Sequence, residues 1–216
     1  MRNFLLGLGA QRSGTTTVDT YLKKFNLVEP PFIKEMHIWD AIEIEECSKW
    51  RESIKKFPET NEYFIHLKKL RMFLQNDTRL YFEYFDKLLK QNNKKITYDL
   101  SPTYMGLNKN TLFKINEGFK NLDIDCKYLL IIRDPIDRCW SAVKYFQKKH
   151  RDGIIPMDQN NFNTLLRESV ITNISAEKAL EKYIYSYDAK FRTSYDITIK
   201  NLLEVLPRKK LLILIF

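Results

Sequence analysis

A glycine-rich segment near the start of the chain has the spacing of an anion-binding loop. Gly9 and Gly14 frame residues 10–13. Glycines let the backbone turn sharply, so that successive N–H groups can point at one anion. A helix that begins at about Thr15 would add its positive N-terminal end. Ordinary strand–helix turns also use such glycines, and this alternative stays open. The candidate anion ligands of the loop are Arg12, Ser13, Gly14, Thr15 and Thr16.

The loop departs from that of nucleoside triphosphatases at one important position. The spacing matches the glycine frame of GxxxxGK[ST], but Thr15 stands in place of the lysine and the basic residue comes earlier, at Arg12. Asp99 and Asp134 follow apolar segments but are imperfect candidates for holding magnesium. A phosphoryl group in transfer normally needs a metal. A sulfuryl group carries less charge, so the loop favours sulfuryl transfer without a required metal.

A second candidate anion site follows the apolar segment 127–132, which reads KYLLII. Arg133 comes at the end of this predicted strand, and a helix is expected to start two residues later. Ser141 then lies on the second turn of that helix. Its hydroxyl and the planar guanidinium can converge on one phosphate. The alternative is a plain helix start that is capped by Asp134.

Residues 34–40, which read KEMHIWD, contain candidate acid–base groups. In an extended segment, Glu35 and His37 would point to the same face, because alternate side chains do so. Either side chain could take a proton from a bound substrate. Lys34 and His37 would shift the pKa of Glu35 by charge and burial. The less specific alternative is that Lys34 and Glu35 form a solvated surface pair.

Together these segments resemble the sulfotransferases that use 3′-phosphoadenosine 5′-phosphosulfate (PAPS). Residues 9–22 are similar to the 5′-phosphosulfate loop of that family. Residues 131–146 are similar to its 3′-phosphate element, RDPxxRxxS, and stand in the same order along the chain. Residues 34–40 resemble the K-E-x-H-F-F stretch of the glycosaminoglycan branch. Residues 100–104 resemble its K-[ST]-P-x-Y segment, with Leu100 in place of the lysine.

The resemblance implies transfer of a sulfuryl group from PAPS to a hydroxyl or amine of an acceptor, which the branch suggests is a carbohydrate. Adenosine 3′,5′-bisphosphate (PAP) would leave. Glu35 would be the catalytic base, with His37 as the alternative base. Arg12 would stabilise the leaving oxygen, assisted by Lys34. The donor would be bound by Arg12, Ser13, Gly14, Thr15, Thr16, Arg133 and Ser141.

The apolar pattern predicts strands that alternate with helices. Buried strands are predicted at 4–8, 95–100, 127–132 and 211–215, with a further strand or extended segment at 33–38. Helices are predicted from about Thr15, across most of 40–91, at 108–119 and 135–149, and two or three times between 161 and 206. This order predicts an α/β fold, with a P-loop-type parallel sheet flanked by many helices. Ligands bind beyond the carboxyl ends of strands in such sheets.

Composition limits the class of protein. The chain has 216 residues, of which 44% are hydrophobic, and a formal net charge of +9. These values predict one soluble domain over residues 1–216 with an anionic partner of unspecified kind. Three scattered cysteines predict reduced thiols and a cytoplasmic location. The sequence has no apolar stretch of membrane-spanning length and no helix-turn-helix, RNP or zinc pattern that would predict nucleic-acid binding. The oligomeric state stays open.

Two other functions remain open at the level of sequence. A P-loop kinase that acts on a small molecule would need a lysine after Gly14 and a magnesium site. A non-catalytic protein that binds anions or polysaccharides on the same scaffold is compatible with the positive charge. In the sulfotransferase family the last strand is usually followed by an acidic loop and a further helical segment. The chain is therefore expected to be short at its carboxyl end.

Overall fold

A computed structural model of the chain describes residues 1–52, 62–91, 93–152 and 174–216. Five strands form one parallel sheet in the order β2-β3-β1-β4-β5. Apolar residues fill the central strands because helices cover both faces of such a sheet. The strands are β1 (Arg2–Gly9), β2 (Val28–Glu29), β3 (Ile96–Leu100), β4 (Ile124–Ile132) and β5 (Leu211–Ile215).

Helices fill most of the described chain between the strands. Asn108 caps one of them, because its side chain accepts a hydrogen bond from the N–H of Thr111 at 2.9 Å. The helices are α1 (Thr15–Leu22), α2 (Trp39–Glu43), α3 (Glu62–Asn76), α4 (Thr78–Gln91), α5 (Lys109–Lys120), α6 (Pro135–Arg151), α7 (Ala176–Tyr183), α8 (Tyr187–Phe191) and α9 (Tyr195–Val205). Short 3₁₀ turns occur at Glu45–Trp50, Pro102–Gly106 and Arg208–Lys210.

The sheet register brings the carboxyl ends of four strands to one edge. Leu6 of β1 lies opposite Asp99 of β3 on one side and Tyr128 of β4 on the other. Ile132, at the end of β4, lies opposite Ile215 of β5. Since the strands are parallel, the loops that follow β1, β3 and β4 emerge next to one another.

An aromatic cluster beneath β1 forms the centre of the main core. The rings of Phe4 and Phe119 stack with centroids 3.9 Å apart, and the ring of Phe85 meets that of Phe4 at 4.7 Å. Trp39 is fully buried against Tyr81 in the same cluster. A smaller core joins α6 to α7 and α8 through Val143, Ala179 and Tyr183, among others. These contacts fix the helices that carry the site.

The parallel sheet with flanking helices confirms the predicted fold class. The prediction of a strand or extended segment at 33–38 was wrong. These residues form bends, and the φ angle of His37 is 51°, which lies outside the extended region. The strand of this region occurs earlier, as the short β2, which pairs with β3. Residues 161–173, for which helices were also predicted, lie outside the described residues.

Candidate functional site

A cleft of about 440 Å³ opens beyond the carboxyl ends of the strands. Most of its lining comes from the loop after β1, residues 34–37, the turn after β3 and residues 133–145, and Trp50, Arg192 and Phe216 complete it. Its lining residues include Arg12, Gly14, Thr15, Thr16, Lys34, Glu35, His37, Trp50, Thr103, Arg133, Ser141, Tyr145, Arg192 and Phe216. Every residue predicted for catalysis or donor binding except Ser13 therefore lies on one cleft.

The loop after β1 has the backbone geometry of a tight anion-binding turn. Gly9 and Gly14 have φ angles of +118° and +94°, which glycine adopts readily. A Cβ atom on Gly9 would lie 2.2 Å from the carbonyl oxygen of Pro102. Helix α1 starts directly after Gly14, and the first N–H groups of a helix have no intrahelical acceptor. The loop therefore presents backbone donors and a positive helix end to the cleft.

Ser13 lies apart from the other predicted ligands. Its side chain is fully buried and does not line the cleft. Its backbone N–H donates to the carbonyl oxygen of Ala10 at 3.3 Å. The structure thus places Ser13 inside the loop, while the hydroxyl-bearing Thr15 and Thr16 reach the cleft wall.

The two anion sites predicted from sequence meet in the folded chain. The Nε of Arg12 donates a hydrogen bond to the Oγ of Ser141 at 3.1 Å. The Nη1 of Arg133 donates to the carbonyl oxygen of Arg12 at 3.3 Å. The guanidinium of Arg12 also lies 4.2 Å from the ring centroid of Tyr145. Two arginines and a serine hydroxyl therefore lie close together in the cleft, where they can bind anionic groups.

Partial burial lowers the pKa of Arg12, and the nearby positive charge of Arg133 lowers it further. The ring of Tyr145 acts in the opposite direction. Two cations that are held close together in a partly desolvated cleft favour a bound anion, because it relieves their mutual repulsion. The electrostatics of this end of the cleft fit a ligand that carries phosphate or sulfate.

Lys34 connects the predicted base to the loop after β1. Its Nζ donates to the Oγ1 of Thr16 at 2.7 Å and lies 3.7 Å from the Oε1 of Glu35. A cation thus stands between the anion loop and the carboxylate. It can lower the charge repulsion between Glu35 and an anionic ligand in the loop.

His37 is held between two carboxylates. Its Nδ1–H donates to the Oδ2 of Asp40 at 2.7 Å, and its Nε2 lies 3.4 Å from the Oε2 of Glu35. Its ring stacks on that of Trp50 with centroids 4.0 Å apart. The predicted proximity of Glu35 and His37 is therefore found, but it arises from a bend and not from an extended segment.

These contacts set the charge state of both side chains. Burial lowers the pKa of His37, but Asp40 and Glu35 outweigh burial and raise it to about 9. Burial raises the pKa of Glu35, but His37, Lys34 and Arg71 outweigh burial, so that the pKa falls below its ordinary value of 4.5. At neutral pH, Glu35 is therefore an ionised carboxylate and His37 an imidazolium.

Asp99 supports the site from beneath and does not line the cleft. It is fully buried and accepts hydrogen bonds from the hydroxyls of Ser101 at 2.7 Å and Tyr104 at 2.8 Å. It also accepts from the hydroxyl of Tyr81 at 3.0 Å and from the N–H of Met36 at 3.4 Å. This geometry gives Asp99 a structural role.

Asp134, the other candidate for holding magnesium, caps α6. Its Oδ1 accepts hydrogen bonds from the N–H groups of Ile136 and Asp137, both at 2.9 Å. Within the described ranges, no group of three or more His, Cys, Asp or Glu side chains is arranged to hold a metal ion.

Several cleft residues were not predicted from the sequence. Tyr145 lies one helical turn after Ser141 on α6, so the helical spacing could have identified it. Asp40 follows His37 by three residues, which is also a recognisable spacing. Trp50 and Arg192 have no local pattern that would mark them. Arg192 is buried, and its Nε donates to the Oδ1 of Asp188 at 2.7 Å.

Comparison with solved structures identifies the fold. The crystal structure of a sulfotransferase from Alicyclobacillus acidocaldarius matches all of this chain over 73% of its own length, with a TM-score of 0.54 and 18% identity. The sulfotransferase domain from the curacin biosynthetic pathway also matches all of this chain, over 67% of its own length, with a TM-score of 0.51 and 15% identity. Neither a scan of protein-family models nor a search of curated proteins gives a match. The chain thus has the sulfotransferase fold.

Proposed function

We propose that the protein transfers a sulfuryl group from PAPS to a hydroxyl or amine of an acceptor, and that the acceptor is a carbohydrate. The observation that supports this most directly is the hydrogen bond between Arg12 and Ser141. It joins two anion sites, far apart in sequence, in one cleft that also contains an ionised glutamate. A donor with phosphate groups at the 3′ and 5′ positions of one ribose needs two such sites close together.

The donor would lie across the loop after β1 and the start of α6. The 5′-phosphosulfate would sit on the loop, where Gly14, Thr15 and Thr16 begin α1. The 3′-phosphate would lie between Arg133 and Ser141, as the sequence resemblance implies. Arg12 at the loop and Arg133 at the second site would offset the charge of a donor that carries several negative groups.

Glu35 is suited to act as the catalytic base in this reaction. It would take the proton of the acceptor while the acceptor oxygen or nitrogen forms a bond to sulfur. The bond between sulfur and the bridging phosphate oxygen would break, and PAP would leave with the electron pair. Arg12 and Lys34 would stabilise the negative charge on the leaving oxygen. Since all charge changes occur at groups already in the cleft, no metal is needed.

His37 is better suited to orient Glu35 than to replace it. An imidazolium whose pKa is about 9 cannot accept a proton at neutral pH. Its positive charge instead keeps Glu35 ionised and directs one carboxylate oxygen. The low pKa makes Glu35 a weak base in the free protein. Bound PAPS would raise that pKa, because it places negative charge close to the carboxylate.

A carbohydrate acceptor is compatible with the residue types that line the cleft. The cleft is also lined by Trp50, Thr103 and Arg192, which combine an aromatic ring with polar groups. Aromatic rings pack against the apolar faces of ligands, and polar groups fix orientation through hydrogen bonds. The branch of the family that residues 34–40 resemble points in the same direction.

The test combines donor binding with turnover. The wild-type protein should bind PAP equally well with and without magnesium in calorimetric titrations. It should also transfer label from PAPS to at least one member of a panel of carbohydrates, with the product identified by mass spectrometry. Binding that requires magnesium would favour a kinase instead. Binding of PAP without transfer to any acceptor would favour the non-catalytic anion-binding function.

Glu35→Gln tests the assignment of the base. The substitution should lower kcat on the order of 10²–10⁴-fold, because a general base contributes that much, while the Kd for PAP stays the same. Glu181→Gln, at an exposed position on α7, is the matched control and should leave both values unchanged. Full turnover by Glu35→Gln would exclude Glu35 as the base.

A further inference from the structure

The backbone that carries the predicted base is held by side chains. Residues 32–38, the base segment, contain neither helix nor strand. On one side, the N–H of His37 donates to the Oγ of Ser101 at 3.2 Å, and the N–H of Ile38 donates to the hydroxyl oxygen of Tyr104 at 3.1 Å. The N–H of Met36 donates to Asp99. The residues around the end of β3 therefore fix the N–H groups of the segment.

The opposite side of the base segment is held by α3. The Nη2 of Arg71 donates to the carbonyl oxygen of Glu35 at 2.7 Å, and its Nε donates to that of Met36 at 3.1 Å. The Nε2 of Gln75 donates to the carbonyl oxygen of His37 at 2.8 Å. Arg71 and Gln75, here called the α3 pair, are four residues apart and so lie on one face of the helix.

Gln75 uses both ends of its amide and is almost fully buried. Its Nε2 also donates to the carbonyl oxygen of Trp50 at 3.0 Å, and its Oε1 accepts from the N–H of Glu52 at 2.8 Å. The same side chain therefore fixes His37 and the backbone of the tryptophan that stacks on it. Replacement of Gln75 would leave several buried backbone groups without partners.

We propose that the α3 pair positions Glu35 and His37 for catalysis, although neither side chain is among those that line the cleft. This inference rests on the proposed sulfuryl transfer. The α3 pair fixes three successive carbonyl groups, and three successive N–H groups are fixed from β3. The orientation of the segment is thus set on both sides. Arg71 also contributes positive charge near Glu35, which helps to keep the carboxylate ionised.

Arg71→Met and Gln75→Leu should each lower kcat on the order of 10²-fold, because a shift of about 1 Å in a catalytic group has that effect. The Kd for PAP should stay within about twofold of wild type, since the anion sites are on other elements. Arg79→Met and Gln91→Leu, at exposed positions on α4, are the matched controls and should leave kcat unchanged. Unchanged kcat in both α3 variants would contradict the proposal.

Arg71→Lys separates position from charge. Lysine keeps the positive charge but cannot span two carbonyl groups as the guanidinium does. If position matters, Arg71→Lys should recover less than half of the lost kcat. Full recovery would show that charge alone is required and would overturn the positioning role of Arg71.

A readout that does not need turnover is the pKa of His37, measured by NMR titration of the histidine ring and assigned with His37→Asn. Glu35 and Asp40 face His37, while Lys34 and Arg71 act on Glu35. In Arg71→Met and Gln75→Leu, the His37 pKa should fall below about 9, because the Glu35 contact loosens, while Asp40 continues to raise it. An unchanged pKa would overturn the proposal. If instead the wild type transfers no sulfuryl group but the His37 pKa falls in the two variants, the proposed function fails while the structural inference holds.

Discussion

The protonation states of Glu35 and His37 connect the geometry of the site to its pH dependence. The pKa of His37 is raised to about 9, so the imidazolium is present below pH 9 and is lost as pH rises through that value. Once His37 is neutral and keeps its Nδ1 proton hydrogen-bonded to Asp40, its Nε2 no longer presents a proton to the Oε2 of Glu35, which lies 3.4 Å away, so the base loses its orientation. The titration of His37 thus predicts that the reaction slows at alkaline pH.

Measured kcat/KM for PAPS should therefore fall on the alkaline side with an apparent pKa of about 9. His37→Asn should have a lower kcat at neutral pH, because the cation is gone, and should lack this alkaline limb. His66→Asn, at an exposed position on α3, is the control and should keep the wild-type profile. An unchanged limb in His37→Asn would assign the titration to another group.

At the scale of elements, the end of β3 determines how the base segment lies. Asp99 receives hydroxyl donors from Ser101 and Tyr104, so the lone pairs of those hydroxyls face the N–H groups of His37 and Ile38. Burial raises the pKa of Asp99 to about 6, even though these hydrogen bonds lower it. The carboxylate is ionised above that pH and protonated below it. A protonated Asp99 cannot accept from all four donors, so the support weakens in acid.

The acid limb of kcat/KM for PAPS, which reports groups of the free protein, should therefore have an apparent pKa near 6, well above the depressed pKa of Glu35. Asp99→Asn should reduce kcat at neutral pH, because the NH2 group of asparagine is a donor and cannot accept the hydrogen bonds that one Asp99 oxygen accepts from hydroxyls. It should also remove the limb near pH 6. Asp152→Asn, at an exposed position after α6, serves as the control. An acid limb near pH 6 that persists in Asp99→Asn would contradict this assignment.

At the scale of the whole molecule, the sheet brings the two anion sites together. Arg12 and Ser141 are 129 residues apart in sequence, and the pairing of β1 with β4 places the segments that carry them side by side. Residues that share a hydrogen bond and a ligand do not contribute independently to binding. The joint site is thus a property of the tertiary structure.

A double-mutant cycle tests this joint site. Arg12→Met and Ser141→Ala should each weaken PAP binding, with a coupling free energy of roughly 0.5–3 kcal/mol between them in calorimetric titrations. The control cycle pairs Ser141→Ala with Arg79→Met, whose side chain is exposed and paired with Asp77, and should be additive. Additive effects of Arg12 and Ser141 would mean that the two sites bind separately.

Much of this architecture follows from local sequence. The glycines at positions 9 and 14 are needed for positive φ angles, and the apolar runs predict the positions of β1, β3, β4 and β5. The predicted burial of 211–215 was wrong, because β5 is an edge strand on which Leu212, Leu214 and Ile215 are exposed. Ser141 lies where the helical spacing after Arg133 places it. The loop, the strand order along the chain and the candidate ligands could therefore be predicted without coordinates.

Tertiary structure decided the properties that depend on distant partners. The backbone hydrogen bonds of the base segment go to residues 35 to 66 positions away, so no local pattern could reveal them. The charge on His37 depends on burial and on two carboxylates held around one ring. The buried position of Ser13 and the supporting role of Asp99 are likewise set by packing. Sequence determined which groups are available, and the fold determined their charge and orientation, because both depend on neighbours that only folding brings close.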